Sequence, residues 1–308
     1  MGSSGVTYTY LIGEETTRGV AATADKDIGI ITNVQNSPTR TPIICEGIGN
    51  KEQEANKSGM ESGSQTITMD YQHGRIFEFL VGAASHVETT GDWVHTFTVD
   101  ALPPSFTAGS GSNLSSGDVG MTSVLNVIES LALNMEIDSK LKVDFTTKGR
   151  YPVDLVTVPA HIVSALTCFP HGTVSMAINA VDVVAIQSMT ISVEQVVEAV
   201  DGFDDVSHVD LIPVTLRVKF DIEVAFNEDT FQDHGLNNDI TAITLDANNN
   251  VVLGSGRVAL DLALKDIEIE NGPEETASVG GLTFQKITGN AKIDTFTTTD
   301  NISSTNWL

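Results

Sequence analysis

Basic side chains are scarce in this chain: 16 Lys plus Arg face 41 Asp plus Glu over 308 residues, a formal charge of -25. A surface so short of cations repels nucleic acid instead of gripping its phosphates. Cysteine is nearly absent. Cys45 and Cys168 stand in apolar surroundings without the spacing of a metal or redox motif, so buried free thiols are expected. Long apolar runs are also missing. No stretch approaches the roughly 20 consecutive apolar residues of a membrane-spanning helix, and the opening MGSSGVTYTYLIGEE lacks the basic, apolar, small-residue order of a signal peptide. No membrane partner is predicted.

Catalytic patterns are missing as well. The histidines at 73, 86, 95, 161, 171, 208 and 234 include no pair at the i,i+4 spacing of a zinc helix. Asp201, Asp204 and Asp205, and the run Asp246, Asn248, Asn250, resemble a calcium loop only superficially. Neither has the central Gly and terminal Glu of one, and both read as polar turns. There is no G-x-S-x-G, P-loop or dinucleotide fingerprint. Carboxylate pairs such as Glu136 with Asp138, or Glu268 with Glu270, arise by chance among 41 acids and read first as wet strand faces. Neither cofactor nor metal is expected, and no catalytic residue. The rival readings are a capsid-decoration or surface-layer β protein and, more distantly, a glycan-acting enzyme using Glu136 and Asp138.

What the chain does contain is alternation. From Val214 to Phe226 every second residue is apolar and the residues between are polar but for Ala225, which predicts a long strand with one wet face. Leu131 to Phe145 keeps the same phase through a polar middle at Ser139, predicting one extended or gently bent strand. Shorter runs are Thr66–Tyr71, His95–Val99, Val174–Ile178, Met189–Val193, Val258–Ile269 and Leu282–Phe296, the last broken at Thr288–Asn290. Helical spacing appears over Arg75–Ala84, with Ile76, Phe79, Leu80 and Ala83 on one face, and more weakly over Asn227–Leu236. Gly47–Ser64 and Thr107–Gly120 are glycine- and serine-rich and read as long loops.

The order of these elements repeats. A β segment (Gly29–Ile44), a strand, a short helix, a strand, a loop and further strands fill the first half. Thr173–Val197 and the elements after it follow the same order. The expected architecture is mainly β: a first domain with an N-terminal arm over 1–150, a linker over 151–172 with prolines at 152, 159 and 170, and a second domain over 173–308. The dispersed acids with little lysine also suit a protein from a high-salt cytoplasm, where salt screens self-repulsion. An ordinary acidic protein is the alternative.

Four segments, YLIGEETTRGVAAT (10–23), SQTITMDYQHGRIFEFLVGAA (64–84), HTFTVDALPPSFTA (95–108) and SLALNMEIDSKLKVDFTTKG (130–149), together resemble the major tail tube proteins of long-tailed bacteriophages or haloarchaeal viruses. VAIQSMTISVEQ and PVTLRVKFDIEVAFNEDTF resemble that family's second segment more loosely. The chain departs from the pattern by an extra proline within Leu102–Thr107 and by lacking a Gly-Cys pair near Ile128. The resemblance implies tandem β-barrel or sandwich domains, each with a short helix. It implies rings stacked into a hollow virion tail, assembled in the host cytoplasm, through which DNA passes without specific binding. Tape-measure, tail-tip and neck proteins are the implied partners besides the chain itself, in trimeric pseudo-sixfold or hexameric rings. The implied lumen lining falls on the polar faces of the two long strands: Asn134, Glu136, Asp138, Asp144, Asp221 and Glu223.

Overall fold

A computed structural model describes residues 8–45, 55–100, 102–114, 117–155, 157–159, 167–183, 186–202, 206–225, 236, 239–253, 257–277 and 283–307. The second expected helix lies outside these except for Leu236. Residues 47–54 of the first loop and Asp204 and Asp205 also lie outside.

The protein is mainly β. Its strands are β1 (Tyr8–Glu14), β2 (Ile30–Cys45), β3 (Ala55–Asp70), then helix α1 (Arg75–Val81), β4 (Gly82–Thr89), β5 (Asp92–Val99), β6 (Phe106–Leu114), β7 (Gly117–Glu136), β8 (Lys142–Gly149) and β9 (Val153–Asp154). There follow β10 (Val174–Ile178), β11 (Val181–Asp182), β12 (Ile186–Asp201), β13 (His208–Ala225), β14 (Ala242–Val252), β15 (Arg257–Ala277) and β16 (Thr283–Asp300). Every pairing between these strands is antiparallel, in one continuous sheet whose main path runs β11-β10-β14-β15-β16-β13-β12-β7-β8-β3-β2. Alternation creates this, because each long strand turns one row of side chains inward. Val218, Phe220, Ile222 and Val224 of β13 are buried, as are Met189, Ile191 and Val193 of β12.

Several expectations change at the level of elements. The Leu131–Phe145 segment is a hairpin, β7 turning into β8, with Leu131 opposite Phe145 and Leu133 opposite Val143. The phase survives because a strand that folds back in this register returns its apolar residues to the same face. The Thr107–Gly120 segment is mostly the β6–β7 hairpin, not a loop, and β3 claims residues 55–64 of the other expected loop. Glycine serves close packing in the hairpin: a Cβ on Gly111 would lie 2.6 Å from a methyl of Val158. β16 is unbroken at Thr288–Asn290, and the irregularities beside these residues fall on its partner β15. Asp246 and Asn248 lie in β14 and only Asn250 takes a left-handed turn conformation, with φ 61°. Cys168 is half-buried.

Helix α1 stops at Gly82, whose φ of 109° no larger residue adopts readily. It is buried nearly all round, as a short helix packed inside a sheet must be. Phe77 sits 4.4 Å from Phe296 between ring centroids, and one apolar cluster reaches from Tyr10 to Trp307. Polar side chains lock the segment after β1 to this frame. The buried Glu15 carboxylate accepts hydrogen bonds from Gly19 N–H (2.7 Å), Ser105 Oγ (2.6 Å), Thr107 Oγ1 (3.0 Å) and Leu125 N–H (2.7 Å). Arg18 donates to the Pro103 carbonyl, the Leu211 carbonyl and Asp210, tying the same segment to β13.

Candidate functional site

The polar face of the central strands is the surface that the sequence singles out, and the hairpin β7–β8 and strands β12 and β13 build it. With their apolar residues committed to the core, the intervening residues must share the opposite face. The Asn134 Nδ2 donates to Asp144 Oδ2 at 2.7 Å, and Thr190 Oγ1 donates to Asn134 Oδ1 at 3.0 Å. Thr190 is register partner to both Asn134 and Asp221, and Asp221 holds Lys286 of β16 at 2.6 Å. One row along, Ser188 lies between Glu136 and Glu223 and donates to Glu223 at 3.2 Å.

Five of the six predicted residues therefore share one wall. A shallow recess of about 420 Å³ gathers Asn134, Glu136, Asp144 and Asp221 with Lys142, Thr190 and Lys286. Asp138 is set apart. It sits in the β7–β8 turn with φ 60°, beside an exposed Ile137, rather than in the strand row that an unbroken strand would have given it.

Two of the cations on these strands are answered by carboxylates: Lys286 by Asp221, and Lys219 by Glu194 at 3.3 Å. Such exposed pairs add little stability, about 0–1 kcal/mol each, but they withhold the ammonium groups from passing anions. Sequence reasoning missed the β12 contribution of Ser188, Thr190 and Ser192 and the β16 contribution of Lys286. The signal was present in β12, where these small polar residues alternate with Met189, Ile191 and Val193.

At the other side of the β7–β8 turn, Met135, Ile137, Val174, Met176, Val183 and Met189 line an apolar recess of about 440 Å³. No group of three or more His, Cys, Asp or Glu side chains placed to hold a metal occurs among the described residues.

A family model described as phage tail tube protein matches residues 7–294. The chain belongs to the phage tail tube protein family. No curated protein matches it. As a tube protein it is a structural component of the virion tail, put together in the host cell, and not an enzyme. The stretch YLIGEETTRGVAAT, which carries part of the resemblance, is the segment whose Glu15 and Arg18 lock it to β6, β7 and β13.

Proposed function

We propose that this tube protein forms rings of three chains, stacked into the hollow tube that delivers genomic DNA, with the polar wall of β8, β7, β12 and β13 facing the lumen. The observation that carries the reading is a repeated strand order with matching open edges. Strands β2, β3, β8 and β7 lie side by side in the first half, and β12, β13, β16 and β15 lie in the same relative order in the second. Within the chain the halves meet where β12 pairs with Ser130–Glu136 of β7, beyond the part of β7 that pairs with β6. β15 repeats this arrangement. Its beginning, as far as Lys265, pairs with β14, and along residues 270–277 no second described strand pairs with that edge. β2, the counterpart of β12, pairs only with β3 among the described residues.

An open edge on β15 and an open β2 are therefore complementary, and a neighbouring copy satisfies both. A head-to-tail contact of this kind closes into a ring when its rotation permits. Three chains contribute six tube-like units, in accord with tandem domains over 1–150 and 173–308 joined by 151–172. Rings of six chains follow only if one half alone lines the tube. Tape-measure, tail-tip and neck proteins are the other tail components it would meet.

The lumen assignment of Asn134, Glu136, Asp144, Asp221 and Glu223 is supported by their sharing one polar wall, with Asp138 at the rim. A wall of paired and surplus carboxylates offers DNA phosphates few sticking points, and each phosphate left unbound is a counterion-release gain forgone. Symmetry-resolved images of cylinders assembled from purified protein test the reading. Three chains per ring are expected. Six identical chains would remove the trimer, and a flat lattice or a persistent monomer would remove the tube.

A further inference from the structure

The segment after β16 fastens onto elements more than 200 residues earlier in the chain. Trp307 is 1% exposed, and its indole Nε1 donates to Glu78 Oε2 of α1 at 2.6 Å. The Arg75 guanidinium, itself paired with Asp27, donates to the Asn306 carbonyl at 2.7 Å. The indole stacks on His95 of β5 with ring centroids 3.6 Å apart and lies 5.2 Å from His86 of β4. At the root of the segment, Asp300 Oδ1 accepts from Ile302 N–H at 2.7 Å and from His95 Nε2 at 3.1 Å. β5 pairs directly with the end of β16 here, His95 opposite Thr298. The seated strap thus clamps hairpin β4–β5 and α1 against β16.

The ionisable groups facing Trp307 are unusual for so tight a contact. Because Asp300 takes the Nε2 proton of His95, the His95 Nδ1 is left as an acceptor, and His86 Nδ1, 2.7 Å away, is its donor. Any further proton on His86 enters a half-dry site beside the indole. Glu78 carries the opposite problem: ionised, it must hold a negative charge under Trp307 and near Glu14.

We propose that residues 301–307 are a proton-sensitive latch, seating Trp307 between Glu78 and His95 in mildly acidic solution and lifting it as the solution turns alkaline, which loosens hairpin β4–β5 from β16. Burial, with a smaller push from Glu14, raises Glu78 to about 7 against the pull of the Trp307 hydrogen bond. A raised carboxylic acid contributes to docking fully below its ordinary 4.5, and the contribution is lost as pH rises through about 7. Burial and then the neighbouring His95 lower His86, opposed by Asp300. A lowered histidine contributes above 6.5 and loses its contribution as pH falls further. The Glu78 shift is the larger, so between pH 4.5 and 7 the latch weakens as pH rises, and His86 only blunts the gain on the acid side.

The test uses the full chain carrying Trp93→Phe, so that Trp307 is the sole indole, with acrylamide quenching followed from pH 5.5 to 8.5. Quenching should rise roughly tenfold, less than the full shift allows because Glu78 is partly solvated, with a midpoint near 7 and unchanged far-ultraviolet circular dichroism. Glu78→Gln keeps an oxygen for the indole and should stay seated with a flat profile, while His86→Gln should leave the midpoint in place. A flat profile in the Trp93→Phe protein, or an unchanged one after Glu78→Gln, overturns the proposal. Should Trp93→Phe not fold, hydrogen exchange at residues 302–307 of the unaltered protein gives the same reading: faster exchange at pH 8 than the intrinsic rate change explains supports the latch, and none refutes it.

Discussion

Replacing Glu15 tests whether the locked segment holds the fold together or merely decorates it. Four donors converge on its carboxylate, and three come from sites that water does not reach: Ser105, Thr107 and Leu125 are buried. The two hydroxyls can swing to other acceptors, but the Leu125 N–H cannot. Leu125 also sits at φ 56°, a left-handed conformation that costs a bulky residue about 1–3 kcal/mol and persists only where its surroundings enforce it. Glu15→Ala leaves this N–H orphaned, at about 1–3 kcal/mol, and loses hydrogen bonds to a charged acceptor worth about 1.5–3 kcal/mol each. Relief of the buried charge offsets part of that. The net expectation is about 3–4 kcal/mol of destabilisation. Glu15→Gln keeps one oxygen, which can serve Leu125 and Thr107 together, and turns its amide toward Ser105 and the half-exposed Gly19, so about 1–2 kcal/mol is expected. Urea denaturation of unassembled protein, at constant slope, measures both. In a thermal scan the shift should be about 2 °C per kcal/mol for a chain of this size. A loss below about 1 kcal/mol for Glu15→Ala, or equal losses for the two variants, would refute the reasoning.

Three further outcomes are expected. Burial acts to raise Asp27, but hydrogen bonds and charge from His73 and Arg75 outweigh it and hold the carboxyl at about 2, so its contribution is present above 3.8 and lost as pH falls through about 2. Asp27→Asn should flatten the acid-denaturation curve over that window by about 1–2 kcal/mol, and an unchanged acid limb would contradict the pairing. Gly289→Ala should destabilise by about 2 kcal/mol or more in the same urea assay, because the new Cβ would stand 2.3 Å from the Glu268 carbonyl and 2.7 Å from the Phe220 ring. Assembly followed by light scattering should strengthen from low to molar salt as the -25 charge is screened, and a flat response would remove the high-salt origin while leaving the tube intact.

Strand identity was legible where one face was apolar and the other wet. Val174–Ile178 is strand β10 to the residue, and the buried row of β13 follows the alternation from Val218 to Val224. Turns inside alternating sequence were not legible by phase. Glu136–Leu141 reverses the chain with neither glycine nor proline, through Asp138 in left-handed conformation and a Ser139 Oγ that bonds back to the Glu136 carbonyl. The Asp-Ser pair was the available cue. Composition misled in the β6–β7 hairpin, where glycines and serines signalled a loop but Gly111 and Gly120 are required because Val158 and the facing strand approach too closely for a Cβ. Five of the six residues named from the alternating faces share the wall. Their partners on β12 and β16 could not be named, because which strands lie together is decided by long-range pairing.

The pairing of β5 with β16, with Trp307 driven in behind it, joins the two halves of one chain by more than the edge contact of β7 and β12. In a three-chain ring the seams would therefore alternate, one braced across its outer side and the next held by strand edges alone. Bending or torsion would concentrate at every second seam, giving the tube wall a built-in pattern of stiff and compliant lines along its length.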